Sequence, residues 1–139
     1  MCLSIARKSQ RNKVKKTFLT KNPPNSKGLI KGYKWLQDRP TYPQRYFSYY
    51  REIPVKFGWN ISDRKNITVS KKENNRQNIE EGCHIFIKKP TRYINVRKLF
   101  TVYFKPEDLV AVGYFHNPND CAVVMKYYFP NQAGKYNDY

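Results

Sequence analysis

Hydrophobic and polar positions alternate along much of the chain after Gly28, which is the period of β-strands. Residues 29–36 alternate in this way and predict a short strand before the Asp38-Arg39-Pro40 break. Residues 46–53 are dense in aromatic side chains and predict a second strand that ends at Pro54. We expect residues 55–59 to continue that strand beyond a bulge.

The middle of the chain has shorter and more polar segments. Residues 67–69 are a short strand candidate, and residues 83–87 predict another strand. The polar stretch 70–81 indicates a loop or a solvent-exposed turn of helix. Pro90 is suited to the first turn of a helix, so residues 90–97 predict one short helix.

Three apolar runs rich in Val, Tyr and Phe occupy residues 99–104, 109–115 and 122–129. The segments between them, 105–108 and 116–120, have the composition of turns. Strands joined by short turns favour an antiparallel meander. The sequence therefore predicts a strand-dominated α+β fold, in one small domain with a C-terminal meander.

The 139 residues suit one compact domain, and the charge is unevenly placed within it. Pro23-Pro24 and the surrounding Asn, Ser and Gly residues disfavour regular structure before residue 28. We expect residues 1–27 to form a basic arm that is extended or partly disordered when free, residues 28–130 to form the α+β domain, and residues 131–139 to fray. Ten positive residues and no acidic one precede Asp38, namely Arg7, Lys8, Arg11, Lys13, Lys15, Lys16, Lys21, Lys27, Lys31 and Lys34.

The formal net charge is +17, from 27 Lys and Arg residues against 10 Asp and Glu. Small domains usually carry a few net charges, and self-repulsion at +17 is relieved by an anionic partner. Nucleic acid is the commonest such partner, and an acidic protein is an alternative. A membrane is not expected, because no basic amphipathic helix and no apolar run of ~18 residues is present. The first six residues do not resemble a secretory signal, so we expect a cytosolic location.

The sequence contains no strong motif for a catalytic or metal site. Cys2, Cys83 and Cys121 form no CxxC pair, and His84 and His116 have no ligand spacing, so neither a metal site nor a cofactor is predicted. Cys83 and His84 are neighbours on a predicted strand and would point to opposite faces. The chain is therefore expected not to be an enzyme. A metal-free ribonuclease acting through the two histidines, a Lys and a Tyr is an alternative.

Basic and aromatic residues interleave in residues 39–51, which hold four tyrosines, one phenylalanine and three arginines. Unstacked bases stack on such rings while arginine pairs with phosphate, so RNA suits this segment better than duplex DNA. The opposing interpretation is that these rings belong to the core of a sheet. The predicted nucleic-acid-binding residues are Arg7, Lys8, Arg11, Lys13, Lys15, Lys16, Lys21, Arg39, Tyr42, Arg45, Tyr46, Tyr49, Arg51, Lys71, Lys72, Lys88 and Lys89.

Four short motifs occur in order along the chain: Met1-Cys2-Leu3, Gly32-Tyr33-Lys34-Trp35-Leu36, Gly82-Cys83-His84-Ile85-Phe86, and Val102-Tyr103-Phe104 with the turn before Val110. Together they resemble the motifs of a group of small uncharacterised phage-encoded proteins. The Gly-x-His-x-Phe strand is also similar to a strand of ADP-ribosyltransferase-like folds. Those enzymes need a late catalytic Glu, which residues 122–129 lack.

The resemblance to phage proteins implies a role in host takeover or in evasion of host defence. A short basic protein would then occupy the guide-RNA channel of a CRISPR effector, or clamp the RNA of a similar ribonucleoprotein. Two alternatives stay open beside this role: a basic virion protein that packages the genome, and the small ribonuclease. The oligomeric state is equally open, because no heptad or self-complementary helix is visible.

Overall fold

The computed structural model describes residues 3–5, 8–48, 52–62, 69–71, 77–79, 82–88, 98–114 and 121–131. These ranges hold one α-helix, two 3-10 helices (Lys8–Gln10 and Pro106–Asp108) and twelve strands. In chain order the elements are β1 (Leu3–Ile5), α1 (Arg11–Lys21), β2 (Ile30–Asp38), β3 (Tyr46–Ser48), β4 (Pro54–Val55), β5 (Gly58–Ile61), β6 (Val69–Lys71), β7 (Gln77–Ile79), β8 (Cys83–Phe86), β9 (Lys98–Phe104), β10 (Leu109–Tyr114), β11 (Cys121–Val124) and β12 (Lys126–Phe129).

The strands form one antiparallel sheet, ordered β5-β12-β9-β2-β8-β11-β10-β1-β7-β6. Strand β2 lies at its centre and pairs with β9 along most of its length. The opposite edge of β2 is shared between β8, which meets it at Tyr33, and β3, which pairs with Leu36, Gln37 and Asp38. β3 pairs in turn with β4, away from the main path. The predicted strand-dominated α+β class is confirmed.

The sheet has an inner and an outer face. The inner face is formed by alternate residues whose side chains make the hydrophobic core, among them Leu36, Ile85, Val102 and Phe129. The outer face carries the residues between them, which alternation directs to the other side of the sheet. Part of the outer face is also buried, at Tyr103, Ala111, Cys121 and Val123. Its half-buried rings are Tyr33, Trp35, Phe47, Trp59, Phe86 and Tyr128.

Gly32 lies on the inner face of β2, where β8 approaches closely. A Cβ atom at this position would collide with Cγ2 of Ile85 and lie 3.0 Å from the carbonyl oxygen of Phe86. A glycine in the middle of a strand weakens it intrinsically, so its presence here is explained by this close approach.

The expectation of an extended arm is wrong for residues 11–21, which form helix α1. Phe18 is buried in the core cluster, with Val14 and Leu19 packed against it, and the helix lies against β10. The backbone N–H and side-chain Nδ2 of Asn22 both donate to the carbonyl of Phe18 and close the helix just before Pro23-Pro24. The two prolines therefore end the helix instead of preventing it, and apolar burial outweighs the repulsion between its lysines.

The predicted strand at 46–53 is wrong beyond Ser48, because the chain turns back. β3 and β4 are antiparallel, with Tyr46 opposite Val55. Glu52 has a φ of 53°, a left-handed conformation that a strand does not contain. The N–H of Ile53 donates to Oγ of Ser48, and this bond ties the ends of the turn together. β5 is a separate strand that pairs with β12, not a continuation of β3.

The prediction of a loop or a helical turn for the polar stretch 70–81 is wrong for its described residues 70–71 and 77–79, which belong to strands β6 and β7. β7 pairs with both β1 and β6, so a sheet edge recruits these residues despite their polarity. The strand predicted at 83–87 is confirmed as β8. The helix predicted for 90–97 lies outside the described residues.

The predicted C-terminal meander is wrong in its pairing. β10 and β11 form a hairpin, but β9 pairs with β2 and β12 and does not touch β10 in the sheet. The run 122–129 divides at Met125, whose N–H donates to the carbonyl of Asp108 and whose carbonyl accepts from the N–H of Ser62. The chain thereby passes from β11 to β12 on the other side of β2.

Candidate nucleic-acid interface

The lysines of α1 form an uncompensated basic surface. Lys13, Lys16 and Lys21 are exposed, Lys15 is half-buried, and the first turn holds no acidic residue. Within the part of the chain that the structure describes, none of these four lysines makes an ion pair. Positive charges at the N-terminal end of a helix also repel its macrodipole, so this surface favours an anion.

Arg45, predicted to contact phosphate, is engaged within the protein. Its Nε donates to Oδ1 of Asp38 at 2.6 Å and its Nη2 to Oδ2 at 3.0 Å. Nζ of Lys98 donates to the same Oδ2 at 2.9 Å. The hydrogen bond from Arg45, together with that from Lys98, holds the pKa of Asp38 below its ordinary value, although burial opposes the shift. Arg45 is thus half of a local charge pair.

Arg39 is also held by its own chain. Its Nη2 donates to Oε1 of Glu52 at 2.9 Å and to Oε1 of Gln37. Its guanidinium lies 4.7 Å from the ring centre of Phe47 and 5.4 Å from that of Tyr42. These contacts order the turn between β2 and β3, which is a structural role.

Tyr46 is 7% exposed, and its ring packs inside the protein. Its centre lies 5.8 Å from that of Phe57, 5.2 Å from that of Phe100 and 5.3 Å from that of Phe129. We call Tyr46, Phe100 and Phe129 the closed ring cluster, and Phe57, which is 42% exposed, borders it at the surface. The prediction that Tyr46 stacks on a base is wrong, because alternation along β3 turns this ring to the inner face. Tyr42, by contrast, is 53% exposed.

The remaining predicted residues are scattered or undescribed. Arg11 is half-buried in α1, and Lys88 is exposed after β8. Lys8 begins a 3-10 helix and Lys71 ends β6. The predicted residues that lie outside the described ranges are Arg7, Tyr49, Arg51, Lys72 and Lys89.

A cluster that the sequence analysis missed lies on the outer face at the β5 edge. The indole of Trp59 has Nζ of Lys105 at 5.3 Å and Nζ of Lys126 at 5.2 Å from its ring centre. The ring of Tyr128 contacts the indole at 5.4 Å, with an angle of 70° between the planes. We call these four residues the open ring cluster, because each of them is half-buried.

Strand pairing assembles the open ring cluster. Trp59 lies opposite Tyr128, and Ile61 lies opposite Lys126, so β5 and β12 direct these side chains to one face. Lys105 directly follows β9, the other neighbour of β12. The sequence signal was only an alternating pattern on separate strands. No local spacing relates a residue near 59 to one near 128.

Asp108 is the acidic neighbour of the two lysines. Burial raises the pKa of its carboxyl group, and the charges of Lys126 and Lys105 counteract that shift while Glu107 adds to it. Its Oδ2 is buried and has no hydrogen-bond partner among the described residues. Within the described ranges, neither lysine makes an ion pair with Asp108, so both ammonium groups are available to another anion.

Lys34 places its amine on the inner face of the sheet. Nζ of Lys34 donates to the carbonyl of His84 at 3.1 Å and lies 5.4 Å from the ring centre of Tyr127. Burial lowers the pKa of Lys34. The carbonyl of His84 lies where β8 and β3 diverge from β2, so the amine satisfies a backbone acceptor there.

The pairing of β8 with β11 also shows which faces of the sheet the thiol and the imidazole of β8 occupy. Cys83 and His84 occupy successive positions of the strand and pair with Val124 and Val123, so they alternate between faces. Among the residues that the structure describes, no group of three His, Cys, Asp or Glu side chains could hold a metal ion. The described part of the chain likewise contains no helix long and apolar enough to cross a membrane.

Comparisons with protein-family models, with curated proteins and with solved structures found no match to this chain.

Proposed function

We propose that this protein binds RNA by contact and without catalysis. The observation that carries the proposal is the exposed, unpaired lysine surface of α1, in a chain whose formal net charge is +17. Asp38 and Glu52 pair with Arg39, Arg45 and Lys98 around the C-terminal end of β2, so these three cations already have acidic partners. The α1 lysines have no such partner in the described ranges, and a polyphosphate would supply it.

RNA is favoured over duplex DNA because aromatic rings accompany the charge. Tyr42 is exposed and the rings of the open ring cluster are half-buried, so both could meet bases that are not already stacked in a duplex. If ~6 phosphates are engaged on a single strand, log K falls with log salt at a slope near −4.

The test is a salt titration against single-stranded RNA, duplex RNA and duplex DNA of equal length. The variant Lys13→Gln with Lys16→Gln removes two unpaired charges, and Lys56→Gln with Lys88→Gln removes two exposed charges elsewhere as a matched control. We expect the α1 variant to reduce the magnitude of the slope on single strands by about 1.4, at about 0.7 per phosphate, and the control to change it less.

Each outcome of this titration has a meaning. A salt slope near zero, or no binding to any of the three polyanions, would refute the proposal and direct the search to an acidic protein. Equal binding to duplex DNA and RNA would refute the RNA preference and favour genome packaging.

The biological setting that we propose follows from the resemblance to phage-encoded proteins and is inhibition of a host defence ribonucleoprotein. A reconstituted CRISPR effector provides the test, with the protein added before or after the guide RNA. Inhibition that depends on the α1 lysines supports this setting, and full effector activity at saturating protein contradicts it.

A further inference from the structure

We infer that the open ring cluster is a stacking subsite for an unpaired base of single-stranded nucleic acid, with Trp59 as the platform. This inference rests on the proposed function and adds a ligand class and a place to it. The subsite lies on the outer face of the sheet, whereas the aromatic segment 39–51 that the sequence analysis singled out sends Tyr46 to the inner face.

Among the described residues, no ring stacks in parallel on the indole. Tyr128 meets it at 70° between the ring planes, which is an edge-to-face contact. The pairing of Trp59 with Tyr128 holds the backbone of both residues in the sheet. A platform held this way needs little reordering when a base arrives.

The position at the edge of the sheet gives access. β5 pairs with β12 and ends the strand order on that side. Ile61, which lies on the same face two residues after Trp59, is 73% exposed. An exposed large aliphatic side chain beside a half-buried indole extends the apolar surface that a base and its sugar could cover.

The charges beside the ring match the phosphates on each side of a stacked base. Nζ of Lys105 and Nζ of Lys126 both lie within 5.3 Å of the indole centre. Cation–π contacts at exposed sites are weaker than base–aromatic stacking, so a base can displace the ammonium groups from the ring. Flexible lysine side chains then reach the backbone phosphates instead.

The outer face offers a second ring beyond the subsite. Tyr103, which lies opposite Tyr128, is only 4% exposed, so the accessible surface is interrupted there. Lys31, opposite Tyr103 on β2, is exposed, and its Nζ lies 5.9 Å from the ring centre of Tyr33. A single strand that extends past Tyr103 to β2 would meet this second ring and the cation beside it. Duplexes hide the faces of their bases, so this surface selects unpaired ones.

Intrinsic fluorescence tests the subsite directly, since the chain has 2 tryptophans, Trp35 and Trp59. The difference between the wild type and Trp59→Phe assigns the emission of Trp59. We expect a single-stranded RNA oligonucleotide to quench that emission, with the same saturation curve as binding followed by anisotropy of a labelled strand. The matching duplex RNA should bind without quenching it.

Substitution adds a second measurement. Trp59→Ala should weaken binding of the single strand by roughly five- to a hundredfold, the range of losing one stacked base, and should leave duplex binding unchanged. Trp59→Phe keeps a ring and should lose less. Tyr42→Ala removes an exposed ring elsewhere and is the matched control, with the expectation of a smaller loss. Circular dichroism and thermal melting show whether each variant is folded.

The outcomes separate the subsite from the proposed function. Salt-dependent RNA binding with unchanged Trp59 emission and unchanged affinity in Trp59→Ala would overturn the subsite alone. Equal quenching by the duplex would overturn the preference for unpaired bases. Absence of binding to every nucleic acid would overturn the proposed function, and the subsite would fail with it.

Discussion

The closed and open ring clusters are built from the same kinds of side chain but differ in what surrounds them. In the closed cluster, Phe129 is fully buried, Tyr46 nearly so and Phe100 half-buried, and the three ring centres lie 5.2–5.4 Å apart. In the open cluster, Trp59 and Tyr128 are half-buried and two lysines lie beside the indole. Aromatic density in a sequence therefore does not identify a binding surface.

The cations near the two clusters differ in whether an acidic side chain pairs with them. Near the closed cluster, Asp38 takes hydrogen bonds from Arg45 and Lys98, and Glu52 pairs with Arg39. Near the open cluster, the carboxylate of Asp108 makes no hydrogen bond through Oδ2 to any described residue. Paired charges stabilise a fold locally, whereas unpaired ones are available to a partner.

The largest expected effect is on the stability of the closed cluster. Phe129→Ala removes a fully buried ring that contacts three others, and we expect the free energy of unfolding to fall by about 3–5 kcal/mol. Trp59→Ala in the open cluster should cost clearly less, because its ring is half-buried. Urea denaturation measures both, and equal losses would contradict the distinction between the clusters.

A smaller loss of folding stability is expected from Gly32→Ala, which changes the packing of the inner face only. The added methyl group would collide with Ile85, so strands β2 and β8 must separate, at a cost of about 1–3 kcal/mol. Lys31→Ala changes the exposed neighbour on the outer face and is the control. Thermal melts that show Gly32→Ala to be as stable as the control would contradict this packing.

The charge pair beside the closed cluster predicts a dependence of stability on pH. The pKa of Asp38 in the folded state lies below its ordinary value of 3.8, so the folded state binds this proton less tightly than the unfolded state. The stabilisation is complete above that ordinary value and is lost as pH falls through the folded pKa. Urea midpoints of the wild type should therefore drop more steeply in this acidic range than those of Asp38→Asn. Parallel pH profiles of the two proteins would contradict the prediction.

The smallest effect is expected at the open cluster, on binding rather than stability. Lys105→Gln with Lys126→Gln should reduce the magnitude of the salt slope on single-stranded RNA by about 1.4 and leave the melting temperature nearly unchanged. The exposed pair Lys56→Gln with Lys88→Gln is again the control. A slope unchanged from the wild type would mean that these lysines do not reach phosphate.

Much of the fold could be predicted from local pattern. Strands β2, β8, β9 and β10 fall where alternation or apolar runs placed them, because these segments bury at least one face. Helix α1 was missed because its apolar positions, Val14, Phe18 and Leu19, are few among many lysines. β6 and β7 were missed because a sheet edge stabilises polar residues by backbone pairing, which their side chains do not reveal.

The candidate site was predicted only in part. Lys13, Lys16 and Lys21 of α1 are exposed, as a charged run without acids predicts, and their contact with nucleic acid stays a prediction. Arg45 and Tyr46 were assigned to binding because their neighbours in sequence are basic and aromatic. In the structure, Arg45 is held by Asp38 across the β2–β3 hairpin, and Tyr46 packs against Phe129 from the far end of the chain.

By itself the sequence determined the fold class, the excess of positive charge and the lack of acids before Asp38, since composition and period are local properties of a chain. Only the tertiary structure decided which rings are closed and which are open. Burial depends on the register and order of strands that are distant in sequence. The pairing of β5 with β12 brings Trp59 beside Tyr128 and Lys126, and no local pattern specifies that pairing.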